Sequence, residues 1–468
     1  MKENDKKSLA AGVWYTASRF IVKGLAFITT PLFTRLMTKT EYGNYSDIQF
    51  WLTMMTYITG FELYYSVMIA KHDYREDIDS FSSSIYVLSS FFTVGVFLLG
   101  ILFSKQLIAL FDIRTPLLFP LLFFYLLGES AFMIMQTKHR AFYKYKLFVA
   151  FSLGTSIAAT GLSLLFVFRM PTNRVDARLI GTMLPIAVLG TILGIITLIR
   201  GKRIKKEYWK YALHISAPLV INAVSITLLS SVNKTIIKNS CGSEEAAIYS
   251  LAASIMMIAS LLYQSINSAW APWVQDCLHE KREADVKKAS RKLIVLFFFI
   301  IGGVLLLGPE LVLIMGGKQY QDSVYILPPL LITCMPQLVY SMFMNVEIYY
   351  KRTRIAAIGA MIVSVFNVGA SILLVPRIGY QAAAYISLMS YLLLAMIHYI
   401  IVRKMNIREV YDIRFILVIV ASEIGIMFLM PIVYQYTVIR YSVLAALIVG
   451  LVFFAKKNWE TVKAMLKK

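Results

Sequence analysis

The chain has 468 residues, 58% of them hydrophobic and 13% aromatic, with a mean hydropathy of +0.68, well above the roughly 45–50% apolar usage of a soluble domain. That composition excludes a soluble enzyme or binding module and calls for an all-α integral membrane protein. The net charge of +21 does not point to nucleic acid, because the basic residues lie in short breaks along the whole chain and not on one continuous patch.

Runs of about 20 apolar residues, long enough to cross a ~30 Å hydrocarbon core, recur throughout. In chain order the predicted spans are 9–37, 43–70, 80–104, 115–138, 146–168, 177–199, 212–237, 246–272, 292–315, 323–349, 355–375, 380–402, 413–434 and 438–455. In lipid the backbone must satisfy its own hydrogen bonds, and spans of this length do so as helices. The opening "MKENDKK" reads as a cytoplasmic start, since no compact apolar core with a small-residue cleavage site follows it. Alternate breaks carry 33 Lys and Arg on one side and ten on the other. The positive-inside rule then puts both termini in the cytoplasm, and anionic inner-leaflet lipid accounts for the basic excess. Cys241, Cys277 and Cys334 fit neither a disulfide framework nor a metal site.

A weak internal repeat pairs "EYGNYSDIQF" at 41–50 with "EAAIYSLAAS" at 245–254. Each opens a span that follows a cation-bearing one, and six spans separate them. The spacing predicts two six-helix lobes, residues 1–205 and 206–405, with two further helices and a tail in 406–468. Parallel repeats are common in transporters, with the substrate site between them.

Four cations fall inside apolar spans: Arg19, Lys23, Arg35 and Lys234. A charge at the bilayer centre costs between about 2.5 and 17 kcal/mol, so each is a functional candidate. Arg19 and Lys23 lie ~15 and ~21 Å into span 1 on one helical face. Either they meet an anion such as a phosphate, or carboxylates of neighbouring helices neutralise them in a structural cluster. Glu62 in span 2 is a partner for both readings, and Thr59, Glu62 and Ser66 are expected to form one polar stripe facing a cavity. Glu129, in "LLGESAF" of span 4, is either a proton or sodium site, as Glu62 also could be, or the static partner of Lys23. In span 7, Thr227, Ser230, Ser231 and Lys234 share a face, although Lys234 lies ~33 Å from the inner end, where snorkelling competes. Asn222 and Pro218 of that span predict a bend whose freed carbonyls meet water or substrate. Arg35, past Pro31, is turned about 160° from Arg19 and is read as an outer anchor or release guide. Glu347, His214 and His398 are expected at the membrane interface, and Glu423 sits at mid-depth without an assigned role. No metal spacing is present, and the short outward breaks leave no catalytic loop, so no enzymatic activity is expected.

"GVWYTASRFIVKGLAFITTPLFTRLMTKTEYGNYS", "APLVINAVSITLLSSVNKTIIKNSCGSEEAAIYSLAASI", "SINSAWAPW" and "RTRIAAIGAMIVSVFNVGASILLVPRIGYQAAA" resemble, in order and over most of the chain, the bacterial polysaccharide-transport family of Wzx-type flippases. The resemblance implies the multidrug/oligosaccharidyl-lipid/polysaccharide (MOP) fold, alternating access in the cytoplasmic membrane, and transfer of an undecaprenyl-pyrophosphate-linked oligosaccharide from the inner to the outer leaflet. It further implies that the cations of spans 1 and 7 handle the anion, with a polysaccharide polymerase and chain-length machinery as candidate partners. No cofactor is expected; a proton or sodium gradient is the candidate energy source. Where the family often has Asp-Arg at the end of span 7, this chain has Asn233-Lys234, which removes a carboxylate and replaces a bidentate cation with a point charge. A lipid II flippase of the same fold stays open as an alternative. A multidrug exporter is disfavoured, since cationic substrates call for a cavity dominated by carboxylates.

Overall fold

The computed structural model describes residues 18, 21–22, 24–111, 114–142, 146–350, 352–405 and 410–457, and among them the regular elements are helices without a strand. Helix α1 covers 24–36. Span 2 is α2 (Lys39–Gly60) with α3 (Tyr64–Asp73); span 3 is α4 (Ile78–Leu102), followed by the short α5 (Ser104–Phe111). Spans 4 to 6 are α6 (Leu118–Ala141), α7 (Lys146–Arg169) and α8 (Arg174–Gly201). Span 7 is α9 (Lys206–Ser231) with α10 (Asn233–Ser240), span 8 is α11 (Ser243–His279), and span 9 is α12 (Glu283–Leu306) with α13 (Gly308–Gly316). Span 10 is α14 (Ser323–Ile332) with α15 (Cys334–Tyr349), and spans 11 to 14 are α16 (Thr353–Ile378), α17 (Gln381–Arg403), α18 (Ile413–Val433) and α19 (Thr437–Lys457).

Among the described residues, eleven helical segments are long and apolar enough to cross a bilayer, and Thr437–Phe453 is a shorter apolar one. Of the two spans left over, the first runs into residues outside the described set and the second is broken in the middle. The chain is a multi-pass membrane protein.

The chain divides into two compact units, Met1–Thr227 and Leu228–Lys468. In the first, α8 is the hub, packing on α4, α6 and α7. Its approach to α6 depends on glycine: a Cβ at Gly190 would come within 2.3 Å of the Gly128 backbone, so the two backbones touch as small residues permit in lipid. In the second unit α15 and α17 pack together, α15 also packs on α11, and α17 on α14 and α16. Span 10 is its core, with 94% of its most apolar window buried.

The internal repeat has a structural counterpart. Glu41 and Glu245 are each the third residue of their helix, α2 and α11. Glu41 completes a capping box, accepting from the Thr38 N–H at 2.7 Å while Thr38 Oγ1 accepts from Glu41 N–H, which fixes the helix start. Four residues on, the Tyr45 hydroxyl lies 3.4 Å from Thr182 Oγ1 of α8, and the Tyr249 hydroxyl lies 3.4 Å from Ser387 Oγ of α17. Each tyrosine therefore ties the second span of its group of six to the sixth.

Outside the apolar spans, Asp77 joins the break before α4 to the one before α9, accepting from Lys205 Nζ at 2.6 Å and from the Tyr208 hydroxyl. The Lys205 hydrogen bond is the main reason the Asp77 carboxyl is held down at about 2. Arg282 pairs with Glu280 and Asp285 at the tight turn between α11 and α12.

Candidate functional site

Span 2 does not run as one helix. Phe61 and Glu62 both adopt left-handed backbone, with φ of 45° and 51°. Neither is glycine or asparagine, and each such residue costs about 1–2 kcal/mol. The surroundings hold the break in place: Phe61 N–H donates to the Tyr57 carbonyl at 2.9 Å, the Phe61 and Phe92 rings lie 5.2 Å apart, and Leu63 is fully buried. From α9, the Ser216 hydroxyl donates to the Glu62 carbonyl at 3.1 Å, which also accepts from the Tyr65 N–H at 3.1 Å.

The break turns Glu62, 4% exposed, into a cavity of ≈ 50 Å³ lined by Thr56, Tyr57, Glu62, Tyr64, Glu129 and Ser130 among others. Tyr64 lines the pocket beside Glu62, within electrostatic reach of its carboxyl. Glu129 reaches the cavity from α6, whose adjacent Gly128 is pressed against α8. One residue is about 100° of helical rotation, so the glycine contact sets the direction in which Glu129 faces. Glu62 and Glu129 thus line the same pocket. A cation or a proton fits that donor set, and an anion does not.

The expected polar stripe is not formed as such. Thr59 and Ser66 are fully buried and their hydroxyls donate to Met55 and Leu63 carbonyls at 2.8 and 2.6 Å. A helical register cannot pass through two left-handed residues, and of the three only Glu62 lines the pocket.

Arg19 and Lys23 lie outside the described residues. Arg35 is exposed on α1, Asn222 is half-buried on α9, and neither lines the pocket. Lys234 belongs to the other unit and is half-buried on α10. Its neighbour Asn233, 1% exposed, is held by three hydrogen bonds: Nδ2 donates to Ser387 Oγ at 2.9 Å and to the Ala383 carbonyl at 3.3 Å, and Oδ1 accepts from Ser371 Oγ at 2.8 Å. The amide therefore knits α10, α16 and α17 together.

Three further polar groups are buried. Arg178, counted there with the outer breaks, is 9% exposed; its guanidinium carbon lies 3.8 Å from the Phe33 ring centroid and 3.7 Å from that of Tyr45, a cation–π sandwich. An arginine at a helix end flanked by aromatic openers on two other spans was the available signal. Glu347 and His398 are not interfacial: both are buried and hydrogen-bonded to each other at 2.8 Å. His214, by contrast, is exposed.

Residues 8–277, more than half of the chain, match the family described as polysaccharide biosynthesis protein. The chain belongs to that family. The match takes in both units' repeat openers, the Glu62–Glu129 pocket and Asn233 itself, and stops before span 9. No curated protein matches this family member by sequence. Among solved structures it is similar to the lipid II flippase MurJ in an inward closed conformation, with a TM-score of 0.66 at 15% identity, covering 96% of this chain and 100% of that one. An inward-facing multidrug resistance MATE transporter of the MOP superfamily aligns with a TM-score of 0.59 at 13% identity over 84% and 98% of the two chains. A MOP superfamily transporter from Pyrococcus furiosus gives 0.57 at 13% over 86% and 95%. The family member has the MOP transporter fold.

Proposed function

We propose that the protein is a flippase that carries an undecaprenyl-pyrophosphate-linked oligosaccharide, the repeat unit of a surface glycan, from the inner to the outer leaflet of the cytoplasmic membrane. The observation that carries this reading is the polysaccharide biosynthesis family match on a chain with a transporter fold. A pyrophosphate cannot cross hydrocarbon unaided, and cations held at depth offset its desolvation. Arg19 and Lys23 take that role, with Lys234, Asn222 and Arg35 along the route. The Glu62–Glu129 pocket is the candidate site for a coupling proton or sodium ion, because both glutamates line it. The protein works without catalysis, with both termini in the cytoplasm, and hands its cargo to a polymerase and chain-length machinery.

The test is a deletion strain. Lipid-linked oligosaccharide should accumulate on the cytoplasmic leaflet, and Arg19→Ala or Lys23→Ala should fail to restore export where the wild type succeeds. Normal appearance of the oligosaccharide outside overturns the reading. Arrest of growth with unaltered surface glycan favours a lipid II substrate instead, which the likeness to a lipid II flippase keeps in play.

A further inference from the structure

Glu347 lies two residues before the end of α15 and His398 five before the end of α17. Their side chains are 0% and 1% exposed, and Glu347 Oε1 is 2.8 Å from His398 Nδ1. Glu347 Oε2 is buried with no partner. The Tyr340 ring lies 5.4 Å from the imidazole, and Phe343, between Tyr399 and Tyr411, closes the same side.

The other groups along these elements are almost all uncharged. Tyr411 donates to the Met342 carbonyl at 3.0 Å. Tyr263 of α11 is within electrostatic reach of Tyr340 and Cys334, and Tyr391 of α17 within reach of both tyrosines and Cys334. Glu423 of α18 acts on Cys334, thirteen residues from Glu347, and is itself buried with both carboxyl oxygens unpartnered. Arg352 touches Glu347 through backbone N–H only, at 2.8 Å to its carbonyl, and Arg403 reaches the Tyr399 hydroxyl at 3.4 Å.

We propose that the Glu347–His398 pair is a proton-binding site of the second unit, whose occupancy controls the packing of α15 on α17 during the flipping cycle. The proposal rests on the flippase reading and names a coupling site outside the Glu62–Glu129 pocket. With one proton shared between Oε1 and Nδ1 the pair is net neutral, which an apolar surrounding tolerates. Loss of that proton to water breaks one N–H or O–H bond and leaves a carboxylate beside a neutral imidazole, a single negative charge with no cation paired to it among the described residues. Desolvation makes that state costly while the helices stay closed. Release therefore goes with hydration of the inner ends of α15 and α17, and uptake with their closure. A sodium ion is a poorer occupant, because an imidazole supplies one lone pair where hard cations take several oxygens.

The full chain is reconstituted in vesicles of phosphatidylethanolamine and phosphatidylglycerol with undecaprenyl pyrophosphate as the probe, its outer exposure read by an added impermeant phosphatase. The wild-type rate should change about tenfold between pH 5 and 8, the range in which histidine titrates. Glu347→Gln and His398→Gln should flatten that profile, and the double variant should do no more than either single one. A wild-type profile in the variants, or a rate that follows sodium and not pH, overturns the proposal. Should the wild type not move the probe at all, the flippase reading fails, and the ring nitrogens of isotopically labelled histidine decide the proposal separately. The signal absent from His398→Gln should respond to pH in wild type and respond differently in Glu347→Gln; a response unchanged by that substitution overturns it.

Discussion

Glu62→Asn separates strain from function at the break in span 2. Two successive non-glycine residues in left-handed backbone store about 1–2 kcal/mol each, and asparagine tolerates this region better than glutamate does. The substitution also removes a carboxyl that is 4% exposed and within electrostatic reach of Tyr64 and of no cation among the described residues. Losing that polar contact costs at most about 1 kcal/mol. Relief of strain and of carboxyl desolvation together exceed it, so the variant should be more stable than wild type by roughly 0.5–1.5 kcal/mol. Reversible unfolding in mixed micelles, followed by tryptophan fluorescence, reads the difference. Export in a deletion strain should nevertheless fall to about a tenth or less, because strain held at a functional site is retained for the group it orients. A variant less stable than wild type by more than about 1 kcal/mol would show that the break is stabilised locally and that the strain argument is wrong. A stable variant with full export would remove Glu62 from the coupling site.

Asn233→Ala deletes three hydrogen bonds in the buried cluster of α10, α16 and α17 and should lower the stability of the second unit by about 2–3 kcal/mol, read by the same unfolding assay. Asp77 gives the pH dependence. Its folded carboxyl sits at about 2 against an ordinary value of 3.8, chiefly through Lys205, so its contribution is complete above the ordinary value and disappears as pH falls toward 2. Asp77→Asn should therefore flatten the acid limb of an unfolding curve monitored at Trp209, whose indole N–H is bonded to the Ser84 carbonyl at 2.7 Å.

The spans were legible because insertion into lipid depends on a local sum: some twenty apolar residues in sequence whose backbone bonds are satisfied within the segment. The register of the repeat was legible too, since Glu41 and Glu245 occupy equivalent first-turn positions. The break at Phe61 and Glu62 was not: Gly60 stands just before it, but the two residues that take the left-handed backbone are neither glycine nor asparagine, and Phe92 and Ser216, distant in sequence, hold them there. That Glu62 and Glu129 line one pocket was not legible either, since each was paired with a cation of span 1, and Arg178 was misplaced by a few residues of helix start.

Composition, hydropathy and charge asymmetry thus determined by themselves that this is a many-span membrane protein, and where its spans lie, because those properties belong to each segment separately. Which polar groups meet was decided by tertiary structure. Glu347 and His398 are 51 residues apart and each, viewed from its own helix, could have faced the interface. Helix rotation and packing around span 10 turn them toward each other, and a buried carboxyl is tolerable only where another helix brings its partner.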